Sequence, residues 1–154
     1  MRFRSAKREL ALAWIFFGAA GCDKGDLPGP DVVLPSNYRE SFMKVRGCRS
    51  SVAHDFANVT VWASPEAAPV YRDGLYPFPR ESVLVMEENA DSTCLSLTGY
   101  TVMKKGGPRA DPNYGDWRWV RMDTRFRIGD QGIGCTRCHA QPDCRNRDYV
   151  CGGP

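Results

Sequence analysis

Val83-Leu84-Val85-Met86 is a β-branched, apolar run flanked by polar residues, and it reads as a strand. Working outward, the runs Val59-Thr60-Val61-Trp62, Tyr100-Thr101-Val102-Met103 and Trp117-Arg118-Trp119-Val120 repeat the pattern, and an antiparallel sheet is the economical assembly. Between the last two, Gly106, Gly107, Pro108, Pro112 and Gly115 predict a solvated loop over 104–115. Helices are few. Ser64 is placed to cap one, Pro65 suits its first position because the missing N–H costs nothing there, and Gly74 closes it, so residues 65–72 are predicted helical. Ser36 after Pro35 is a second capping candidate, predicting a short helix through Met43 with Tyr38, Phe42 and Val45 on its apolar side. The expected class is mainly β (α+β), an antiparallel sheet with a few short helices. By strand alternation Trp117 and Trp119 share a face and are read as core, while Arg118 and Arg121 fall on opposite faces.

The N-terminus is of a different kind. Arg2, Arg4, Lys7 and Arg8 precede an apolar run over 10–20 that ends in Gly21-Cys22, the order of a bacterial signal peptide, expected over 1–21. The run falls short of the about 20 apolar residues that a spanning helix needs. Ala19-Ala20-Gly21-Cys22 resembles a lipoprotein processing box, so Cys22 is expected to carry lipid and anchor the chain to a periplasm-facing membrane surface; the competing reading is an ordinary cleaved signal with a chance cysteine. Residues 22–33, rich in proline and glycine, are expected to form a flexible tether, and residues 34–154 the folded domain. The apparent basicity belongs to the signal: taking its four basic groups and one acidic group from the totals of 21 and 18 leaves 17 of each sign. With no Lys/Arg tract beyond the signal there is no electrostatic footprint for nucleic acid, and no nucleic-acid partner is expected.

Of the 7 cysteines, two fall in Cys135-Thr136-Arg137-Cys138-His139. In this spacing two thiols can add across the two vinyl groups of one haem, and the adjacent histidine is placed to ligate its iron. A redox dithiol, half a zinc site and two structural cysteines beside a chance histidine are the competing readings; export supplies the compartment in which c-type haem is attached. The motif occurs once and the other histidine is His54, so one c-type haem is expected, attached at Cys135 and Cys138 with His139 as the axial ligand. Cys48, Cys94, Cys144 and Cys151 are left as disulfide candidates in an oxidising compartment; of three connectivities, Cys48 with Cys94 and Cys144 with Cys151 is expected because the last two lie close together.

Taken in order, Asn37-Tyr38-Arg39-Glu40, Thr60-Val61-Trp62-Ala63-Ser64-Pro65-Glu66, Val83-Leu84-Val85-Met86-Glu87, Asp116-Trp117-Arg118-Trp119, and the haem motif followed by Asp148-Tyr149-Val150 resemble the cytochrome P-460 family, which includes the beta-type cytochromes c-prime. The resemblance implies a mainly antiparallel β fold with a C-terminal haem-attachment segment, a homodimer, and a haem with histidine on one side and an open or weakly occupied distal side. Family members that oxidise hydroxylamine have a lysine cross-linked to the haem; Met86 stands at the matching place, and a thioether cannot supply that amine. Cys151 stands where the family has an aromatic.

The expected function is redox electron transfer or binding of a small gaseous or nitrogenous ligand such as nitric oxide, together with a redox partner. The alternatives are a hydroxylamine or nitric oxide oxidoreductase and a haem subunit of a membrane respiratory complex. Met86 is the candidate at the haem edge, read as packing ahead of ligation, with Met103, Met122 and Met43 behind it. His54 is a distal candidate whose plainer reading is a surface or capping residue. Glu87 or Glu88 could relay protons, and Arg137, Arg145 and Arg147 could pair with haem propionates, each against a plainer reading as a solvated side chain.

Overall fold

The computed structural model of the protein describes residues 34–107, 110–130 and 132–153. The expected signal peptide, Cys22 and the tether lie outside them. A short helix α1 (Tyr38–Ser41) leads into strand β1 (Met43–Ser50), and β2 (Asn58–Ala63) is followed by helix α2 (Ala67–Asp73). Strands β3 (Val83–Asn89), β4 (Leu97–Lys105), β5 (Trp117–Met122) and β6 (Ile128–Asp130) come next, and helices α3 (Ile133–His139) and α4 (Pro142–Arg145) close the chain. The strands form one 6-stranded antiparallel sheet in sequence order. The fold is therefore mainly β with a few short helices, as its strand runs predict.

Both faces of the sheet are apolar, which explains why its strands read as nearly continuous hydrophobic runs. On one face the register aligns Trp62, Val85, Val102 and Val120 across four strands, and Leu34, Tyr38, Phe42 and Phe126 cover them. On the other it aligns Ala63, Leu84, Met103 and Trp119, under Ala67, Ala68, Tyr71, Phe78 and Val150. Trp117 and Trp119 are core, as alternation requires, and Arg118 is buried while Arg121 is exposed.

Several sequence expectations are corrected. The first helix is one turn long, Asn37 rather than Ser36 occupies its capping position, and Met43 and Val45 lie in β1. Helix α2 starts at Ala67: the Ser64 hydroxyl accepts from Val83 N–H at 3.1 Å, tying the turn to β3 instead of capping the helix. Gly74 closes α2 in the left-handed region, φ 67°, with its N–H returning to Val70. The expected loop over 104–115 begins later, because β4 runs to Lys105, and it contains a 3₁₀ turn, Pro112–Tyr114, capped by the Asp111 carboxylate.

The disulfides are Cys48–Cys94 and Cys144–Cys151. The first fastens the outer strand β1 to the β3–β4 turn across a separation of 46 residues, a loop whose closure restricts the unfolded chain. Replacing both cysteines by serine is expected to cost about 2–4 kcal/mol in urea unfolding; an unchanged midpoint would mean that β1 is held by its ladder alone.

Candidate functional site

The cysteine-histidine motif occupies α3, whose start is fixed by packing. Gly132 has φ 70°, and a Cβ there would lie 2.3 Å from the Trp119 Cβ, so only glycine lets α3 begin against β5. Gly132→Ala is expected to destabilise the fold by about 2–4 kcal/mol through overlap and left-handed strain together, read by thermal unfolding; wild-type stability would show that α3 does not press on β5.

His139, at the end of α3, is buried with its ring edge-on to Trp119 at 5.6 Å. Its Nδ1 lies 2.6 Å from the Tyr149 carbonyl oxygen, which has no proton to give, so Nδ1–H donates and Nε2 is left as the nitrogen with a free lone pair. Burial pushes the imidazole pKa down and so favours the neutral form, and the Tyr149 bond offsets part of that shift.

What presents that carbonyl is Asp148-Tyr149-Val150. Asp148 and Tyr149 both have positive φ, 53° and 64°, a costly pair for residues with side chains. They are held there from several sides. The Asp148 carboxylate pairs with Lys105 and accepts from Phe78 N–H at 2.8 Å, its carbonyl accepts from Trp117 Nε1 at 2.7 Å, and the Tyr149 hydroxyl donates to the Asn113 carbonyl at 3.0 Å. Val150 enters the core, and the Cys144–Cys151 bridge brackets the segment.

On one face of the sheet lies a cavity of about 340 Å³ lined by Val59, Val61, Leu84, Met86 and Met103, with Arg46, His54 and His139 also in its wall. A second of about 230 Å³ includes Arg121, Asp130, Cys135 and Cys138 in its walls. The two share Ala53, His54, Thr101, His139 and Cys151, so they form one recess with the thiols towards one end. Cys135 and Cys138 are free thiols, whereas the other four cysteines among the described residues are paired. Burial pushes the Cys135 thiol pKa up, the opposite of what activates a redox dithiol. Among the described residues no group of three or more His, Cys, Asp or Glu side chains is gathered as for a metal ion, and no helix is long and apolar enough to cross a membrane.

The donor set fits a covalently held haem: two unpaired thiols, a buried imidazole with Nε2 free, and an apolar recess in the usual volume range for cofactor sites. Of the sequence candidates, Met86, Met103 and His54 line the recess; Met43 is exposed and Met122 packs on the far face. His54 is half-buried, and burial lowers its pKa, against a smaller upward pull from Glu88. The two glutamates separate. Glu88 accepts from Thr101 Oγ1 at 2.7 Å and from Arg121 Nη2 at 3.3 Å, both recess residues, whereas Glu87 points to the opposite face, bound by the Tyr38 hydroxyl and by Arg39 Nε at 2.6 Å. Glu87 is thus no relay for this recess. Arg137, Arg145 and Arg147 are exposed and line neither cavity, in keeping with their plainer reading as solvated side chains. Arg46, which sequence reading did not single out, does line it.

No protein-family model matches this chain, and no curated protein matches it.

Proposed function

We propose that the chain is an exported monohaem c-type cytochrome of the P-460 kind, with haem attached at Cys135 and Cys138, His139 Nε2 on the iron, and a role in electron transfer or in binding a small ligand such as nitric oxide. One observation carries this reading: a free dithiol and a buried imidazole, its Nδ1 committed to a backbone carbonyl, stand together in the wall of an apolar recess. When bound, the haem would supply a one-electron centre and a coordination position for a small ligand. The chain supplies the rest. The Tyr149 carbonyl fixes the ring orientation and tautomer of His139, a hydrogen bond that would make Nε2 the more basic towards a metal. Val59, Val61, Leu84 and Met103 make the recess apolar and would keep water from a cofactor bound there. Met86 brings no amine to the recess, so hydroxylamine oxidation through a lysine cross-link is the less favoured reading. Lipid at Cys22 would hold the domain at the periplasm-facing membrane, near a redox partner, and labelled palmitate failing to incorporate would remove the anchor.

Optical spectra of the haem-loaded protein, ferric and ferrous, before and after carbon monoxide and nitric oxide, test the role. A high-spin ferrous spectrum that changes promptly with either gas supports ligand binding. A low-spin spectrum indifferent to both supports electron transfer with a sixth protein ligand, for which Met86, Met103 and His54 are the residues to replace.

A further inference from the structure

The outer strand carries a bulge with a consequence for the recess. Lys44 pairs with Trp62 and Arg46 with Val61, a register shift that leaves Val45 as the extra residue. Val45 turns into the core beneath the recess, and Arg46 joins a row on the recess face running Arg46, Val61, Met86, Thr101, Arg121 across five strands. The row is apolar at Val61 and Met86 and cationic at both ends. Arg121 lies in the same cavity wall as Cys135 and Cys138, and Arg46 belongs to the other cavity, with Ser50 and Ser51.

We propose that Arg46 is the carboxylate-binding residue of the recess, its guanidinium taking a propionate of the haem; this rests on the haem reading above. A porphyrin of the haem type carries its vinyl groups on one side of the ring and its two propionates on the opposite side. Fastening the vinyl side at Cys135 and Cys138, by the Arg121 end, directs the propionates towards Arg46. Arg46 Nε is buried and has no hydrogen-bond partner among the described residues. Arg46 also lines the recess with a side chain that is only partly buried, and the forked donors of arginine match a carboxylate. The tail passes close by: Gly152 has φ 97°, and a Cβ there would come within 2.8 Å of Arg46 Nη1, so a side chain at this position would displace the guanidinium. Neighbouring arginines are engaged elsewhere: Arg121 with Glu88 at 3.3 Å, and Arg49 with the Gly153 carbonyl at 3.3 Å.

The test uses the full haem-loaded chain and its R46Q, R46K, G152A and R145Q variants, reading covalent haem content first and then the midpoint potential against pH. The expected result is equal haem content throughout and a lower potential in R46Q, because removing a cation beside the haem favours the ferric state. R46K, which keeps the charge, stays near the parent, and so does R145Q, altered at an exposed site. G152A, which pushes the guanidinium aside, follows R46Q. If R46Q fails to fold, a potential in G152A equal to the parent's overturns the proposal. A potential in R46Q indistinguishable from the parent's at every pH overturns it while leaving the haem reading intact. So does an unchanged potential with weakened nitrite binding, which would give Arg46 to the iron's ligand instead. A parent chain that takes no haem sinks the functional reading itself.

Discussion

Asp148→Leu is expected to unfold about 3–5 kcal/mol more readily than the parent, the cost of leaving one partner of a buried ion pair uncompensated. Lys105 and Asp148 face each other with side chains only 10% and 9% exposed, and the carboxylate also serves Phe78 N–H. Removing it strands a buried ammonium and a backbone donor at once, and frees the segment that presents the Tyr149 carbonyl to His139. The companion Lys105→Met, Asp148→Leu double variant should recover much of the loss, since replacing both charges removes the unpaired ion. Urea unfolding of the four members of this cycle measures the coupling. Additive losses would mean that Asp148 acts through Phe78 alone.

Replacing Cys135 and Cys138 together by serine is expected to abolish covalent haem while the sheet still forms. Cys135 is only half-buried at the core's margin and Cys138 is exposed, so two hydroxyls in their place disturb little packing. Haem left in the double variant would be held by coordination and contacts alone and should leave in acidified organic solvent, whereas the parent retains it through the same treatment. Replacing Cys144 and Cys151 instead should keep the haem attached and lower stability, since that bridge braces the Asp148 to Val150 segment from outside the motif. Haem surviving extraction in the Cys135, Cys138 double variant would place the attachment elsewhere.

The inner strands are legible because both sides of the sheet are buried, so β2 to β5 appear as runs of Val, Leu, Met and Trp. Strand β1 is not: Met-Lys-Val-Arg-Gly-Cys-Arg-Ser carries three charges and is mostly exposed, and the bulge breaks its alternation. Its pairing with β2 overrides the helix suggested by Ser36. Strand β6 has three exposed residues and exists through its pairing with β5. The candidate site divides the same way. Spacing alone brings two thiols and an imidazole together, but nothing in it announces the helix α3 that carries them. The diverging roles of Glu87 and Glu88 were within reach, since alternation puts Glu87 on the side of Val85 and Glu88 on that of Met86. Arg46 was out of reach, because a bulge decides which way it faces. So was the duty of Asp148-Tyr149-Val150, whose two left-handed residues aim a carbonyl that no local pattern predicts.

The measurement that bears most directly on the central claim is the denaturing intact mass of the chain, exported from a host that attaches c-type haem, taken with its pyridine haemochrome spectrum. Haem attached at the motif gives a chain heavier by one haem, a haemochrome of the two-thioether type, and haem confined to the peptide that holds Cys135 to His139. A haem-free chain with Cys135 and Cys138 oxidised to each other, or carrying zinc, would contradict it.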